Sequence, residues 1–436
     1  MAKLGESIRN VWKIQELRTR LLFTAALLIV VRIGAHITLP GVDATLLAKA
    51  EASQASNTLF GLYDLFVGGA FKNAAVFALG IMPYISSSII LQLLGAVVPY
   101  FQKLSKEGEE GRKKLTQLTR YGTVLVSALQ GWGVSVRLTS LNIEGMPIVP
   151  LEVQGLAFTI STVIFLTAGT LFMMWLGEQI TERGIGNGIS LIIFIGIIAR
   201  FPHSIIDQFR VSQNIIIGLI ILAVMIVIIA GVVMVTQGTR RIPVQYAKRV
   251  VGRRMYGGQS THLPLKLNTA GVIPPIFASS LLIFPATIAQ FVQNPAFQTV
   301  ADYLQPGGFT YNVVYVVGII FFAYFYTAVV FNPDDVAENM QKFGGFIPGI
   351  RPGKRTAEYI DRILSRLTLG GAVYIAAICV LPTILVQRFN APFYFGGTAL
   401  LIVVGVGLDT IQQVESHLIM RHYDGLVKKT RMKGRR

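Results

Sequence analysis

Ten apolar blocks, separated by polar ones, organise this chain. They cover residues 21–38, 73–98, 116–137, 153–177, 187–202, 213–236, 268–293, 311–331, 367–386 and 394–412. A helix needs about 20 apolar residues to cross the hydrocarbon core of a bilayer. Each block therefore predicts a membrane-spanning helix, with the one at 187–202 the shortest. Between the first two blocks the pattern breaks. Residues 59–71 read LFGLYDLFVGGAF, a greasy piece that carries Asp64 and stops at Gly68-Gly69. As a helix, Leu59 to Val67 measures about 14 Å, too short to cross. Backbone that does not span is tolerated at membrane depth only inside protein or beside water, so this piece predicts a re-entrant or interfacial half-helix. Residues 1–20 predict a basic amphipathic segment, with Ile8, Val11, Trp12 and Gln15-Glu16 at helical spacing. No signal-peptide cleavage pattern precedes the first span.

Composition agrees with the blocks. Of 436 residues, 53% are hydrophobic and 14% charged, against roughly 25% charged in a soluble protein; the mean hydropathy is +0.58. The net charge of +17 does not by itself imply nucleic acid, because membrane proteins hold Lys and Arg on the cytoplasmic side. With the N-terminus inside, the cytoplasmic segments 1–20, 99–120, 178–186, 237–267, 332–366 and 413–436 hold five, six, one, seven, six and seven basic residues, 32 of the 39. That asymmetry predicts a multi-pass protein of the cytoplasmic membrane with both termini cytoplasmic. Ten spans make two halves of five, 21–202 and 203–412, flanked by the amphipathic N-terminus and a basic tail at 413–436. An odd number per half makes the second half enter from the opposite side, the arithmetic of an inverted repeat. No residue-level similarity between the halves accompanies it. The single cysteine, Cys379, lies in an apolar block and reads as a small packing residue.

The spans are poor in chemistry. A transporter for a small solute, the alternative reading, calls for ionisable or substrate-binding groups at mid-span, and the blocks lack them. Arg32 and His36 lie near the outer end of the first span, where snorkelling accounts for them; Asp409 lies near the inner end of the last. The five histidines are scattered without metal-ligand spacing, and no HExxH motif appears. GIGNG (184–188) joins two spans with no strand ahead of it, so it reads as a tight turn rather than a phosphate loop. Ser190 has no His partner in a neighbouring span. These absences predict neither an enzyme nor a cofactor or metal site. Gln92, Gln130 and Asn268 each interrupt an apolar run, either as ordinary interhelical glue or as a seam that opens. Ile81 and Ile85 share one helix face, as do Ile189 and Ile193. The loops 237–267 and 332–366 combine paired arginines, Gly/Pro turns and the aromatics Tyr246, Tyr256 and Phe346. Loops longer than about 15 residues are usually functional, and these suit a large acidic partner, ribosomal RNA or an acidic protein face.

The chain resembles the SecY family of protein-conducting channels. The motifs that carry the resemblance are ALGIMPYISSSIILQLL (78–94), ERGIGNGISLIIF (182–194), RRIPVQYAKR (240–249), STHLPLKLNTAGVIPPIFASSLLIFPA (260–286), GGFIPGIRPGKRT (344–356) and FGGTALLIVV (395–404). It implies an all-α membrane protein, with two five-helix halves closed like a clamshell around a central pore and hinged between the fifth and sixth helices. The implied pore ring is Ile81, Ile85, Ile189, Ile193, Ile276 and Ile402, a dewetted gate of branched apolar side chains. The implied plug and its hinge are Leu62, Tyr63, Leu65, Phe66, Gly68 and Gly69. Gln92, Gln130 and Asn268 match the polar cluster of a lateral gate, formed by the second and third helices against the seventh and eighth. Secreted chains would thread the pore, and signal sequences or nascent membrane spans would leave through this gate into lipid. Arg240, Arg241, Lys248, Arg253, Arg254 and Arg351 match a docking surface for the ribosome and for the motor ATPase SecA. SecE and SecG are the implied small membrane subunits. Two features depart from the family pattern. Pro274-Pro275 doubles a proline at the start of the seventh helix and removes another backbone donor. Gly405 and Gly407 replace bulky residues in the tenth, which either loosens the wall below Ile402 or admits a close neighbour.

Overall fold

Among the described residues, ten helices of 16 residues or more form where the apolar blocks predict them: α1 (Gln15–Gly34), α2 (Met82–Val97), α3 (Glu109–Ser140), α4 (Leu156–Arg183), α5 (Gly188–Val211), α6 (Ile215–Gln237), α7 (Ile273–Phe291), α8 (Phe309–Val330), α9 (Lys354–Phe389) and α10 (Gly397–Lys433). They belong to a computed structural model that describes residues 14–43, 46–47, 64, 66–143, 146–211, 215–246, 249–251, 254–256, 260–291, 303, 308–389 and 397–433. Among the described residues, α4, α6, α8, α9 and α10 are long and apolar enough by composition alone to cross a membrane. The apolar parts of α2, α5 and α7 are shorter.

α3 is less apolar for a packing reason. Thr119, Thr123, Ser127, Gly131 and Ser135 recur every fourth residue and are buried. The hydroxyls are satisfied within the helix, Thr123 Oγ1 donating to Thr119 O at 2.7 Å and Ser135 Oγ to Trp132 O at 2.7 Å. Small side chains on one face let helix backbones approach closely. At Gly131 an added Cβ would already lie 3.4 Å from Val163 Cα of α4.

The second block differs from its expectation at one end. α2 starts at Met82, and residues 71–81 run as turns with Ala74 and Gly80 at φ of 39° and 57°. The backbone groups of this unwound stretch find partners outside any helix. Leu39 N–H donates to Ala74 O and Val76 N–H to Ile37 O, each at 2.9 Å. Pro83 then falls in the first turn of α2, where a missing N–H costs nothing. The helix itself covers only about 24 Å, and the unwound stretch supplies the remaining depth inside protein.

Packing reveals the repeat that residue comparison does not. In the first half, α1 packs on α4 and α5, α2 on α3 and α4, α3 on α4, and α4 on α5. Adding five to every number gives the second half: α6 on α9 and α10, α7 on α8 and α9, α8 on α9, and α9 on α10. The halves meet where α5 touches α6 and α10, and where α2 and α3 lie against α7.

On the polar side, the two loops read separately in the sequence form one sheet. β1 (Thr239–Tyr246) pairs antiparallel with β2 (Ser260–Lys266), and its far end pairs with β3 (Gly345–Phe346) through Gln245↔Phe346 and Tyr246↔Gly345. Ile242 and Val244 face inward between exposed neighbours, a period-2 alternation. Ile242 and Leu265 join Ile347 with Ile360 and Ile363 of α9 in one small core. α9 thus begins in this sheet's core, well before its apolar block at 367–386.

Candidate functional site

A single apolar cluster gathers the six ring isoleucines from four helices. Ile81, Ile85, Ile193 and Ile402 are buried within it, and Ile189 and Ile276 pack against it partly buried. Ile81 sits at the N-cap of α2 and Ile85 one turn into it; Ile189 and Ile193 lie one turn apart in α5. Ile276 and Ile402 come from α7 and α10, in the other half. Phe66, Val67 and Ala70 of the re-entrant stretch join the same cluster. A cavity of about 10 Å³ remains beside Phe66, Val67, Ile81 and Ile192, at the lower limit of what one water needs. Side chains otherwise fill the space around this cavity.

Both departures from the family pattern have a local explanation. Pro274 and Pro275 fall in the first turn of α7 and are buried. The first four N–H groups of a helix lack intrahelical acceptors, so neither proline removes a helix bond. An added Cβ at Gly405 would lie 2.5 Å from Val272 Cγ1, whereas at Gly407 the nearest atom, on Phe194, is 3.9 Å away. Gly405 therefore admits the close approach of the segment leading into α7, and Gly407 leaves room.

Leu62, Tyr63 and Leu65 lie outside the described residues. Phe66 is buried, and Gly68 and Gly69 adopt φ of 69° and 95°. A Cβ on Gly68 would stand 2.6 Å from Gly196 Cα. These two glycines are thus required both by backbone conformation and by a backbone-to-backbone contact with α5. The stretch is also held by charges that the sequence did not single out. Asp64 is buried and ion-paired with Arg200 of α5, and its Oδ1 accepts the Lys72 N–H at 3.0 Å. Arg32, expected to snorkel, instead donates from Nη1 to Gly68 O at 2.9 Å.

The amides at the seam bond locally. Gln92 Nε2 donates to Ser88 Oγ at 3.1 Å on its own helix, and Asn268 Nδ2 to Gly271 O at 3.0 Å in the lead-in to α7. Gln130 Oε1 is buried without a partner. Ser87 Oγ of α2 donates to Thr119 O of α3 at 3.0 Å and Gly122 of α3 leaves space for Ser87, which joins α2 to α3 on one side of the seam; both helices then pack against α7.

GIGNG is a tight turn with a further role. Ile185 N–H donates to Thr24 Oγ1 of α1 at 3.1 Å, Gly186 N–H to Gln413 Oε1 of α10 at 2.9 Å, and Gly188 N–H to Thr181 Oγ1 of α4 at 2.9 Å. Gln413 therefore ties the two halves together at this turn.

Of the basic residues, Arg240 and Arg241 are exposed on β1 and Arg351 is exposed just before α9. Arg254 lies on a short strand, Arg254–Tyr256, paired with Arg249–Val251. Lys248 and Arg253 lie outside the described residues. Tyr246 and Phe343 are exposed on the same platform. The sheet that carries Arg240, Arg241 and Tyr246 had a detectable signal in the alternation of IPV and HLPLK. Its pairing with β3, about 100 positions along the chain, had none.

A family model for SecY matches residues 75–411. The chain is 50% identical over 428 residues to the protein translocase subunit SecY of Escherichia coli strain K12, covering 96% of each chain. Its fold is similar to a solved structure described as a protein conducting channel, with TM-score 0.63 and 18% identity over 91% of both chains. It is also similar to Sec61 in the canine ribosome-channel complex from the endoplasmic reticulum, with TM-score 0.59 and 17% identity over 91% of both chains.

Proposed function

The chain belongs to the SecY family, and on that premise we propose that it is the pore subunit of a protein translocase. It passes unfolded secretory polypeptides across the cytoplasmic membrane and releases membrane spans sideways into lipid. The observation that carries this reading is that six isoleucines from α2, α5, α7 and α10 share one apolar cluster, with Phe66 and Val67 packed in it. A ring of branched apolar side chains can part around an extended chain without offering fixed polar contacts to any one sequence, and it excludes water and ions when empty. Residues 59–71 act as the plug of that ring. The seam of α2 and α3 against α7 is the lateral gate, with Gln92, Gln130 and Asn268 along it.

The platform of β1, β2 and β3 receives the partner that supplies energy. Its exposed Arg240, Arg241 and Arg351, with Tyr246 and Phe343, suit phosphate-rich RNA and acidic protein faces. The partners proposed are the translating ribosome and SecA on this face, with SecE and SecG beside the helices. The excess of Lys and Arg in the loops on this side supports placing both termini in the cytoplasm.

Reconstitution into proteoliposomes with SecE, SecG and SecA tests the reading. ATP-dependent protection of a presecretory protein from added protease is the expected outcome; no protection with a competent partner set overturns it. Reversing Arg351 to Glu is expected to weaken ribosome or SecA binding more at low salt than at high salt, while assembly of the complex is unchanged.

A further inference from the structure

We propose that Asp64, Arg200 and Arg32 form a charge latch that fixes the plug to the first half of the molecule, independently of the ring. The inference rests on the reading of residues 59–71 as a plug. Asp64 is 1% exposed, and its partner Arg200 is 28% exposed. The two lie 136 positions apart, so the pair forms only when the re-entrant stretch is seated against α5. The second arginine grips the same turn, Arg32 Nη1 holding Gly68 O at 2.9 Å. The turn is also closed on itself, Gly69 N–H donating to Asp64 O at 3.1 Å. A side chain at Gly69 would reach within 3.0 Å of Arg200 Nη2, so the glycine pair is what lets both guanidiniums close in.

The location of the partners gives the latch its consequence. α1 and α5 both belong to the first half, whereas the ring draws Ile276 and Ile402 from the second. Parting the halves opens the ring and leaves every latch contact intact. The plug is released by a separate event, the entry of water. A buried carboxylate is costly without its partner, so while the Asp64 carboxylate is shielded from solvent the pair holds. Once water reaches Asp64, solvent takes over both charges and the latch lets go. Wetting and plug release are thereby coupled, and a dry channel stays plugged even when its halves fluctuate apart.

The test is the resting ion conductance of the complete channel complex in planar bilayers. The variants are Asp64→Asn, Arg200→Gln, Arg200→Lys, the double Asp64→Asn/Arg200→Gln, and a deletion of residues 60–67 as the reference for an absent plug. Arg200→Gln leaves the Asp64 charge buried and unpaired, and is expected to raise conductance about tenfold or more. Asp64→Asn leaves a charge that already reaches water, and is expected to raise it less, about threefold. Arg200→Lys keeps the charge and stays within about twofold of the wild type. The double variant, with no uncompensated carboxylate, leaks less than Arg200→Gln alone; a merely structural role for either side chain predicts the opposite order. A leaking deletion together with wild-type conductance in Arg200→Gln and Asp64→Asn overturns the latch and spares the plug. A deletion that does not leak overturns the plug reading, and the latch with it. If Arg200→Gln does not assemble, the remaining pair decides: a leaky Asp64→Asn beside a tight Arg200→Lys supports the latch, and two tight variants overturn it.

Discussion

The seat of the re-entrant stretch and the seam between α2, α3 and α7 are the two places where the proposed channel gives way, yet they are held by different physics. The seat combines a backbone contact at Gly68 and Gly196 with a buried ion pair and an arginine on a carbonyl. The seam has the packing of α2 and α3 against α7 and amides that bond within their own segments. A charge pair in a dry site is close to all-or-none, because a partly separated pair is unsolvated. Packing between apolar helices in lipid has no such threshold, since lipid replaces the lost contacts. The seat is therefore suited to switch, and the seam to yield gradually around spans of different shape.

Four variants probe this contrast. The largest effect is expected from Gly68→Val, which places a branched side chain at positive φ against the Gly196 backbone. A cost of about 3 kcal/mol or more follows from backbone strain and overpacking together. The seated state should be lost, read as high resting conductance in planar bilayers and as protease access near residue 68. Next is the double replacement Ile85→Gly with Ile193→Gly. Removing two buried isoleucines opens the ring from one half while leaving the plug seated, so conductance should rise less than in Gly68→Val. Equal or greater leak would mean that the ring, and not the plug, is the principal seal.

At the seam the expected changes are smaller, and the first has the opposite sign. Gln130→Leu removes a buried acceptor that has no partner, and is expected to stabilise the closed seam by about 1 kcal/mol. A higher melting temperature and slower crosslinking of a signal sequence to lipid would report it. Destabilisation would show that Gln130 has a role the closed state does not reveal. Gln92→Leu, which breaks only a bond to its own helix, should change stability by no more than about 0.5 kcal/mol. A larger loss, measured by thermal unfolding of the purified complex, would place Gln92 among the groups that hold the seam.

The sequence by itself predicted the places of the ten long helices among the described residues, and it set the expectation that Lys and Arg gather on the cytoplasmic side. Those signals are local: about 20 apolar residues to cross hydrocarbon, and Lys and Arg kept in short loops on one side. The break at Gly68-Gly69 was legible for the same reason, because nine residues cannot span. The i,i+4 isoleucine pairs were visible too, but their convergence with Ile276 and Ile402 came from resemblance, since helical spacing says which face a residue shares and nothing about what that face meets. Only the tertiary structure decided the rest. The repeat of packing at an offset of five helices leaves no trace in residue identity, because apolar contacts tolerate many substitutions of similar size. The sheet of β1, β2 and β3 joins segments about 100 positions apart. The unwound entry to α2 depends on carbonyls and N–H groups offered by residues 37–39. Arg32 looked like a snorkelling charge at the end of a span, and nothing in the sequence marked Arg200. What makes them partners of one buried turn is a distance in space, fixed by the approach of Gly68 to Gly196, and a one-dimensional pattern carries no information on such distances.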